Sequence, residues 1–499
     1  MDVDVLVVGA GPAGLMLACE LGLAGVRTVV VEQQVQRPGF CRGFNLNARS
    51  LELLDRRGIA DRFLAAGPTV PTMTFSGLRR PLDLSAMDTD HPYVLGIAQT
   101  RVEELLQERA NELGVPVWWG HQIIDLHQDV DTVTATVDTP TGQARIAAAY
   151  LVGCDGGRST VRKLAGIAFP GTAASRYTLL GDVALADPTA LPFGPTITEH
   201  GSVFVIPRPG YVRLITAEPE PPSDRDAPVT LAYLQTVVDQ AVGRHVPLTE
   251  PRWLTRFSNA ARQAERYIAG RVILAGDAAH IHPPAGAVGV NVAIDDAMNL
   301  GWKLAGAVHR WAPATLLGTY HSERHPAGAQ VLRNTRAQAL LGNPDDRFAP
   351  LRDLFTEVAE LPAVNKHLAE LVTAVSTRYP MHNDSDQAHP WLGRLTPNLQ
   401  LTNGVASTSV AQLLDAGRAV LLDLADQPAL RATAAAWQPR LTIHTARCPE
   451  QPELHALLIR PDGHTAWITP STGDQIASLH HALETWLGTP TTGGTVDVL

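Results

Sequence analysis

Over 499 residues the chain has only four cysteines, Cys19, Cys41, Cys154 and Cys448, and no two of them stand in a CxxC or other metal-ligand spacing. This argues against a disulfide framework and against a structural zinc site. Cys19 reads as a small buried hydrophobe, and Cys41, beside Arg42, is placed where a cofactor could pass. Runs of cations are also missing. Forty Lys and Arg stand against 50 Asp and Glu, a formal net charge of −10, and no cluster is basic enough to neutralise a phosphate backbone. Nucleic acid and anionic membranes are therefore not expected partners. No stretch reaches the ~18 apolar residues that span a bilayer, and the start lacks the basic-then-apolar pattern of a signal peptide. A cytoplasmic protein without membrane contact is expected.

What remains is an ordinary globular composition, 45% hydrophobic and 18% charged, in a chain longer than one core usually serves. Two or three domains follow. The first 32 residues carry the most information. Val3–Val8 is an apolar strand pattern that runs into Gly9-Ala10-Gly11-Pro12-Ala13-Gly14, then helical spacing from Leu15 to Leu23, then a second apolar strand ending at Glu32. In this order Gly9 permits the tight turn, Gly11 lets a pyrophosphate approach the backbone, and Gly14 lets helix and strand pack closely. Phosphates would sit on the helix N-terminus, where free amides and the positive dipole end point outward. Glu32 would accept hydrogen bonds from a ribose diol. The motif alone does not separate NAD from FAD.

Further along, a helix is expected over Ala48–Arg57, a polar Pro/Gly-rich excursion over Gly67–Pro92, and a helix over Arg101–Leu113. Strands at Ile123–Leu126, Thr132–Val137 and Ala144–Ala149 read as a hairpin system, followed by a separate buried strand at Tyr150–Cys154 and the turn Asp155-Gly156-Gly157-Arg158. Between Phe169 and Arg266 the pattern is β-rich, with Tyr177–Leu185, Ser202–Ile206 and Val212–Thr216 as strands. Val272–Ala275 then ends in Gly276-Asp277, and a helix follows from Val290 to Val308. Helices continue from Ala314 to Tyr379, with His321, Glu323 and Arg324 on a solvated or interdomain face. From Pro390 a last module shows buried strands at Ala419–Leu424 and Leu457–Ile459, a turn at Pro461–His464 and a closing helix over Ile476–Trp486.

Gly9–Gly14 with Glu32, Asp155-Gly156 with Arg158, and Gly276-Asp277 together resemble the class A FAD-dependent aromatic hydroxylases over about residues 1–380. The remainder, including Leu421–Asp426 and Leu458–His464, resembles the thioredoxin-like C-terminal domain of the aromatic-polyketide branch, nearest the angucycline-type hydroxylases and rifampicin monooxygenases. The resemblance implies an α/β fold: a Rossmann-like FAD-binding domain (1–168 and 267–389), an inserted β-rich substrate domain (169–266) and a thioredoxin-like C-terminal domain (390–499). It implies that Gly9, Gly11, Pro12, Ala13 and Gly14 hold the FAD pyrophosphate, Glu32 the adenosine ribose and Arg42 the pyrophosphate from the other side. Gln99 would reach toward the ribityl region, Gly276 and Asp277 would meet the ribityl chain, and Pro284, Gly286, Gly289, Val290 and Asn291 would line the isoalloxazine.

The same resemblance implies a monooxygenase in which NADPH reduces FAD and O2 supplies one oxygen atom to a polycyclic aromatic polyketide, in a monomer or homodimer. No second dinucleotide fold is visible, so NADPH would bind transiently. Phe44 and Leu46 are candidates for the substrate pocket, no residue is assigned as catalytic, and His280 and His282 read as structural rather than as metal ligands. Baeyer-Villiger or rearranging oxygenation is the rival outcome on the same scaffold. One departure stands out. The family usually carries Gly-Gly-Gln-Gly in the flavin loop, where this chain has Gly286-Ala287-Val288-Gly289, and Asp295 replaces a Gln often found later. A flavin-binding protein that has lost turnover is therefore a third reading.

Overall fold

In a computed structural model the described residues are 2–343, 345–381, 389–469 and 474–490. Residues 1, 344, 382–388, 470–473 and 491–499, among them parts of the expected helical stretch and C-terminal module, lie outside them. The chain forms two compact units: 1–169 with 263–280 and 285–499, and 170–262 with 281–284.

The first unit is built on a sheet whose central strands are parallel. In space the order is Ile268–Ala269, Val272–Leu274, Gly142–Gly153, β1 (Asp2–Val8), β2 (Thr28–Glu32) and Val117–Trp119. β1 pairs in parallel with both β2 and Gly142–Gly153, in the registers Val7↔Val30 and Val7↔Val152. β2 carries an unbroken run of buried β-branched residues, Thr28–Val31, and Val5–Val8 and Leu151–Gly153 beside it are buried as well, as expected for the centre of a parallel sheet covered on both faces. The second hairpin strand expected at Ala144–Ala149 and the separate buried strand expected at Tyr150 form one continuous strand, Gly142–Gly153. Its first half pairs antiparallel with Val133–Thr139 and its second half joins β1. A change of partner partway along a strand leaves no mark in hydrophobic alternation.

Helix α1 (Pro12–Leu23) begins with proline at its first turn, where no backbone N–H is needed. It is buried nearly all round, from Ala13 to Leu21, because the sheet lies on one side and the long helix Gly289–Val308 on the other. That approach is tight: a Cβ on Gly301 would lie 2.4 Å from the Glu20 Cβ. Helix α2 (Ala48–Asp55) starts from Asn47, whose side chain accepts the Ser50 N–H.

Residues 389–490 belong to this same unit. They contribute a four-stranded mixed sheet in the order Leu441–Thr445, Ala419–Asp423, Ala456–Ile459, Thr465–Ile468, with one parallel and two antiparallel pairings. Helices Pro428–Ala434 and Gln475–Leu487 accompany it, which is the βαβ-then-ββα order of a thioredoxin-like domain. Leu441–Thr445 and Thr465–Ile468 escape the sequence reading because short strands rich in Thr, His and Ala carry little hydrophobic period. The second unit is a five-stranded antiparallel sheet with the helix Leu231–Val242. Its core includes Leu179, Val203, Leu214 and Leu234, with a buried bidentate Asp182–Arg213 pair at 2.7 Å.

Candidate functional site

Three glycines of the first turn differ in what demands them. Gly9 has φ +107°, and a Cβ there would lie 2.4 Å from the Cys154 carbonyl oxygen; a Cβ on Gly14 would lie 1.9 Å from the Gly9 carbonyl oxygen. Both are required by the protein's own backbone. Gly11 has an ordinary φ of −78° and no atom within 4 Å of where a Cβ would stand. The fold does not need that glycine, so the open space beside it is kept for something that approaches the backbone. Gly11 also caps α1 without a side chain, which leaves the first amides of the helix unpaired and facing that space. A diphosphate fits this cradle.

At the end of β2 the Glu32 carboxylate accepts the amides of Ala10 at 2.9 Å and Gln34 at 3.0 Å. These bonds fix it across the turn and leave acceptor capacity for hydroxyls. Asp155 serves the fold: one oxygen accepts the Thr160 and Val161 amides at 2.7 and 3.0 Å and caps the following helix, while Arg158 is exposed.

Gly276 (φ +60°) and Asp277 sit on a single 3-10 turn after Val272–Leu274. A Cβ on Gly276 would come within 3.0 Å of the Ala13 Cβ, so this turn presses on the start of α1. Asp277 is exposed and caps no helix. Its orientation is set from below: Asp296 Oδ2 accepts the Gly276 amide at 3.0 Å and pairs with His280 Nε2 at 2.7 Å, while Oδ1 accepts from Arg324 Nε at 2.7 Å. His280 is thus engaged with a carboxylate, and the His282 ring with the Pro283 carbonyl at 2.9 Å.

The helix Gly289–Val308 begins without a capping side chain. Before it, Ala287 holds a left-handed backbone at φ +49°, a conformation that costs an L-residue about 1–2 kcal/mol. Val288 is buried in an apolar cluster with Met73, Phe75 and Leu341. The altered loop is therefore packed as an apolar one. Gly43 lies against both this helix and Gln99, since a Cβ there would stand 3.4 Å from Gln99 Oε1 and 3.6 Å from Val290 Cγ2. Arg42 is exposed, Phe44 is half-buried, and the Gln99 side chain donates to Glu103 at 2.8 Å.

Other expectations need correction. Leu46 is fully buried in the main core and bridges to Leu95 through its backbone, so its side chain faces packing rather than a pocket. The Asn291 side chain is committed to α2, accepting from the Asn47 amide and Ser50 Oγ at 2.8 Å each; only its backbone faces the helix start. Pro284 needs no such correction: it is exposed, although it groups with the second unit. Of the solvated or interdomain face expected for Glu323 and Arg324, the interdomain one holds: both are buried and ion-paired, and Glu323 pairs with Arg460 of the C-terminal segment at 2.7 Å.

Residues 2–335 match the family model of the FAD binding domain, and 389–490 match that of the aromatic-ring hydroxylase C-terminal domain. The chain belongs to the FAD-binding aromatic-ring hydroxylases. This is a flavoprotein monooxygenase family. The chain is 43% identical to a 12-dehydrotetracycline 5-monooxygenase/anhydrotetracycline 6-monooxygenase of Streptomyces rimosus, covering 98% of this chain and all of that one. It is 39% identical to a dialkyldecalin synthase of Streptomyces rugosporus, over 98% of this chain and 99% of that one. Among solved structures, an aromatic hydroxylase from angucycline biosynthesis superposes with a TM-score of 0.92 at 39% identity, over 98% of this chain and all of that one.

Under the flavin cradle lies a buried ionic network that the sequence reading missed. Asp295 accepts from Arg49 at 3.0 and 3.0 Å and from Arg324 at 2.6 Å. Glu323 takes Lys303 at 2.7 Å and Arg460 at 2.7 and 3.0 Å. Burial works to raise the carboxyls of Asp296 and Glu323. Arg324 with His280, and Arg460 with Lys303, overcome it and hold them down at about 2. Burial lowers the Lys303 ammonium to about 8 in spite of Glu323. The signal available in the sequence was a polar row Asp295, Asn299, Lys303 at i, i+4, i+8 on an otherwise apolar helix.

Proposed function

We propose that this flavoprotein uses NADPH, FAD and O2 to hydroxylate a polycyclic aromatic polyketide in secondary metabolism, as a cytoplasmic monomer or homodimer. The observation that carries the reading is the cradle itself: an uncapped helix start with empty space at Gly11, an oriented Glu32, an exposed Asp277 and a second uncapped helix start at Gly289, all in one unit. The tetracycline and angucycline enzymes it is similar to name the substrate class.

Bound FAD supplies the electron transfer and the oxygen activation. A hydride from the nicotinamide, which is two electrons with one proton, and one further proton let one oxygen atom enter the ring while the other leaves as water. The chain's part is positional. The amides after Gly11 hold the diphosphate, with Arg42 closing from the other side. Asp277 takes a ribityl hydroxyl, and Gln99 stands near it. The amide dipole of Gly289–Val308, at Gly289, Val290 and Asn291, faces the flavin edge where negative charge collects on reduction. Gly286 gives the loop its bend, and Phe44 lines the approach to the ring system. Residues 169–266 are assigned as the substrate-binding domain.

Ala287 and Val288 support a second reading, in which FAD is held without redox turnover. Anaerobic addition of NADPH to the purified yellow protein, with and without a tetracyclic aromatic polyketide, separates the two. Bleaching at 450 nm that accelerates with the polyketide supports the hydroxylase cycle. Flavin that stays oxidised throughout rejects that cycle and leaves the second reading. Product mass and ring analysis then distinguishes hydroxylation from Baeyer-Villiger insertion.

A further inference from the structure

The turn Arg460–His464 of the C-terminal domain is buried beneath the two segments that carry the flavin-facing candidates. One is the stretch from Arg42 into α2; the other is the start of Gly289–Val308. Arg49 on α2 links all three. Its Nε and Nη2 donate to Asp295 at 3.0 Å each, and Nη2 also donates to His464 Nε2 at 3.1 Å. An arginine cannot accept, so Nε2 of His464 is the acceptor and its proton is on Nδ1, which stands 3.1 Å from Asp462 Oδ1. Asp462 is in turn held by Arg460, which grips Glu323. The His464 ring also lies tilted against Tyr379, with centroids 4.5 Å apart, and the Tyr379 hydroxyl accepts from Arg324 at 2.9 Å.

Asp295 lies one helical turn beyond Asn291, whose side chain ties the same helix to Asn47 and Ser50 of α2. Both ends of this contact patch thus fix α2 against Gly289–Val308, and the inner end is built by a residue more than 400 positions away. Apolar packing alone would hold these helices together but tolerate a slide; directed, paired charges admit one register.

We infer that His464 is a positioning residue for the flavin site: through Arg49 and Asp295 it sets how α2 and Gly289–Val308 meet, and so where Gly43, Val290 and the helix N-terminus present themselves to FAD. This rests on the FAD-binding function proposed above. The C-terminal domain is then a working part of the cofactor site, although none of its atoms needs to touch the cofactor.

The test compares wild type, His464→Ala and His464→Gln as full-length proteins, well below the melting midpoint of each. FAD affinity is read by quenching of flavin fluorescence, and flavin seating by visible circular dichroism. The Ala variant should bind FAD about tenfold more weakly, the range usual for residues that couple through a network, and give a changed flavin spectrum. The Gln variant, whose Oε1 can accept from Arg49 as Nε2 does, should restore both. If the Ala protein does not fold, Asp462→Asn, which removes the negative charge beside Nδ1, is read the same way against wild type. Variants that melt earlier yet keep wild-type FAD affinity and flavin dichroism overturn the inference, since a purely structural role predicts that pattern. Wild type that takes up no FAD overturns the function beneath it, a failure seen before any variant is made.

Discussion

At the scale of single residues, the glycine turn separates what folding requires from what a ligand requires. A side chain at Gly14 collides with the Gly9 carbonyl, whereas one at Gly11 enters open space. Gly11→Ala is therefore expected to leave the melting midpoint near wild type while weakening FAD by ~10–100-fold, the equivalent of about 1.5–3 kcal/mol for a charged hydrogen bond lost or lengthened. Gly14→Ala is expected to give little soluble protein. Flavin titration and thermal melting of the two variants check this. A Gly11→Ala protein that binds FAD normally would remove the phosphate from that space. The pair also shows what sequence reading could and could not reach. GxGxxG gave each glycine its part in advance, and the positions of the Cys154 and Gly9 carbonyls supply the reason: backbone stands against Gly9 and Gly14 and nothing stands against Gly11. Leu46 teaches the converse: it stands next to the flavin-facing segment in sequence, yet its side chain turns into the core.

At the scale of elements, the helix Gly289–Val308 carries the flavin loop at one end and a row of buried charges along its length. Asp296 and Glu323 hold their carboxyls at about 2, below their ordinary values of 3.8 and 4.5. A depressed carboxyl favours the folded state once ionised. This stabilisation is complete above about pH 4.5 and is lost as the pH falls through 2, with on the order of 2–3 kcal/mol at stake per carboxyl. Denaturant midpoints measured from pH 7 to pH 2 should fall steeply below pH 4.5, and Asp296→Asn should flatten that fall while lowering stability at pH 7 by about 3–5 kcal/mol, because Arg324 is left underpaired. An unchanged slope in the variant would show that these carboxyls titrate alike in both states. The helix itself was legible from its apolar content and its glycine-rich entry. The partners of its polar row were not, because ion pairs between α2, Gly318–Leu341 and the Arg460–His464 turn carry no local periodicity.

At the scale of the whole molecule, the C-terminal segment is part of the first unit. Trp302 and Leu316 of the flavin-binding part share a core with Leu421, Trp437 and Trp486. Arg57 donates to the carbonyls of Leu414 and Pro461 at 3.0 and 2.9 Å while pairing with Glu20 at 2.6 and 2.7 Å. A chain ending at Met381 would expose that core and strand Arg49, Arg57 and Glu323 without several of their partners. It should fail to give a cooperatively melting, FAD-binding protein. Near-ultraviolet circular dichroism and flavin uptake of the truncated chain test this; a truncated chain that melts cooperatively and binds FAD as the full chain does would make the segment an independent module.

The sequence by itself determined the glycine turn, the parallel strands around it and the family, because these depend on local requirements: backbone freedom at glycine, hydrophobic period and helix starts. The tertiary structure alone decided that Leu46 and the Asn291 side chain face inward, and that Asp295, Arg49 and His464 meet. Those outcomes depend on packing between segments up to about 400 residues apart, where desolvation leaves a buried charge no choice but to find its partner.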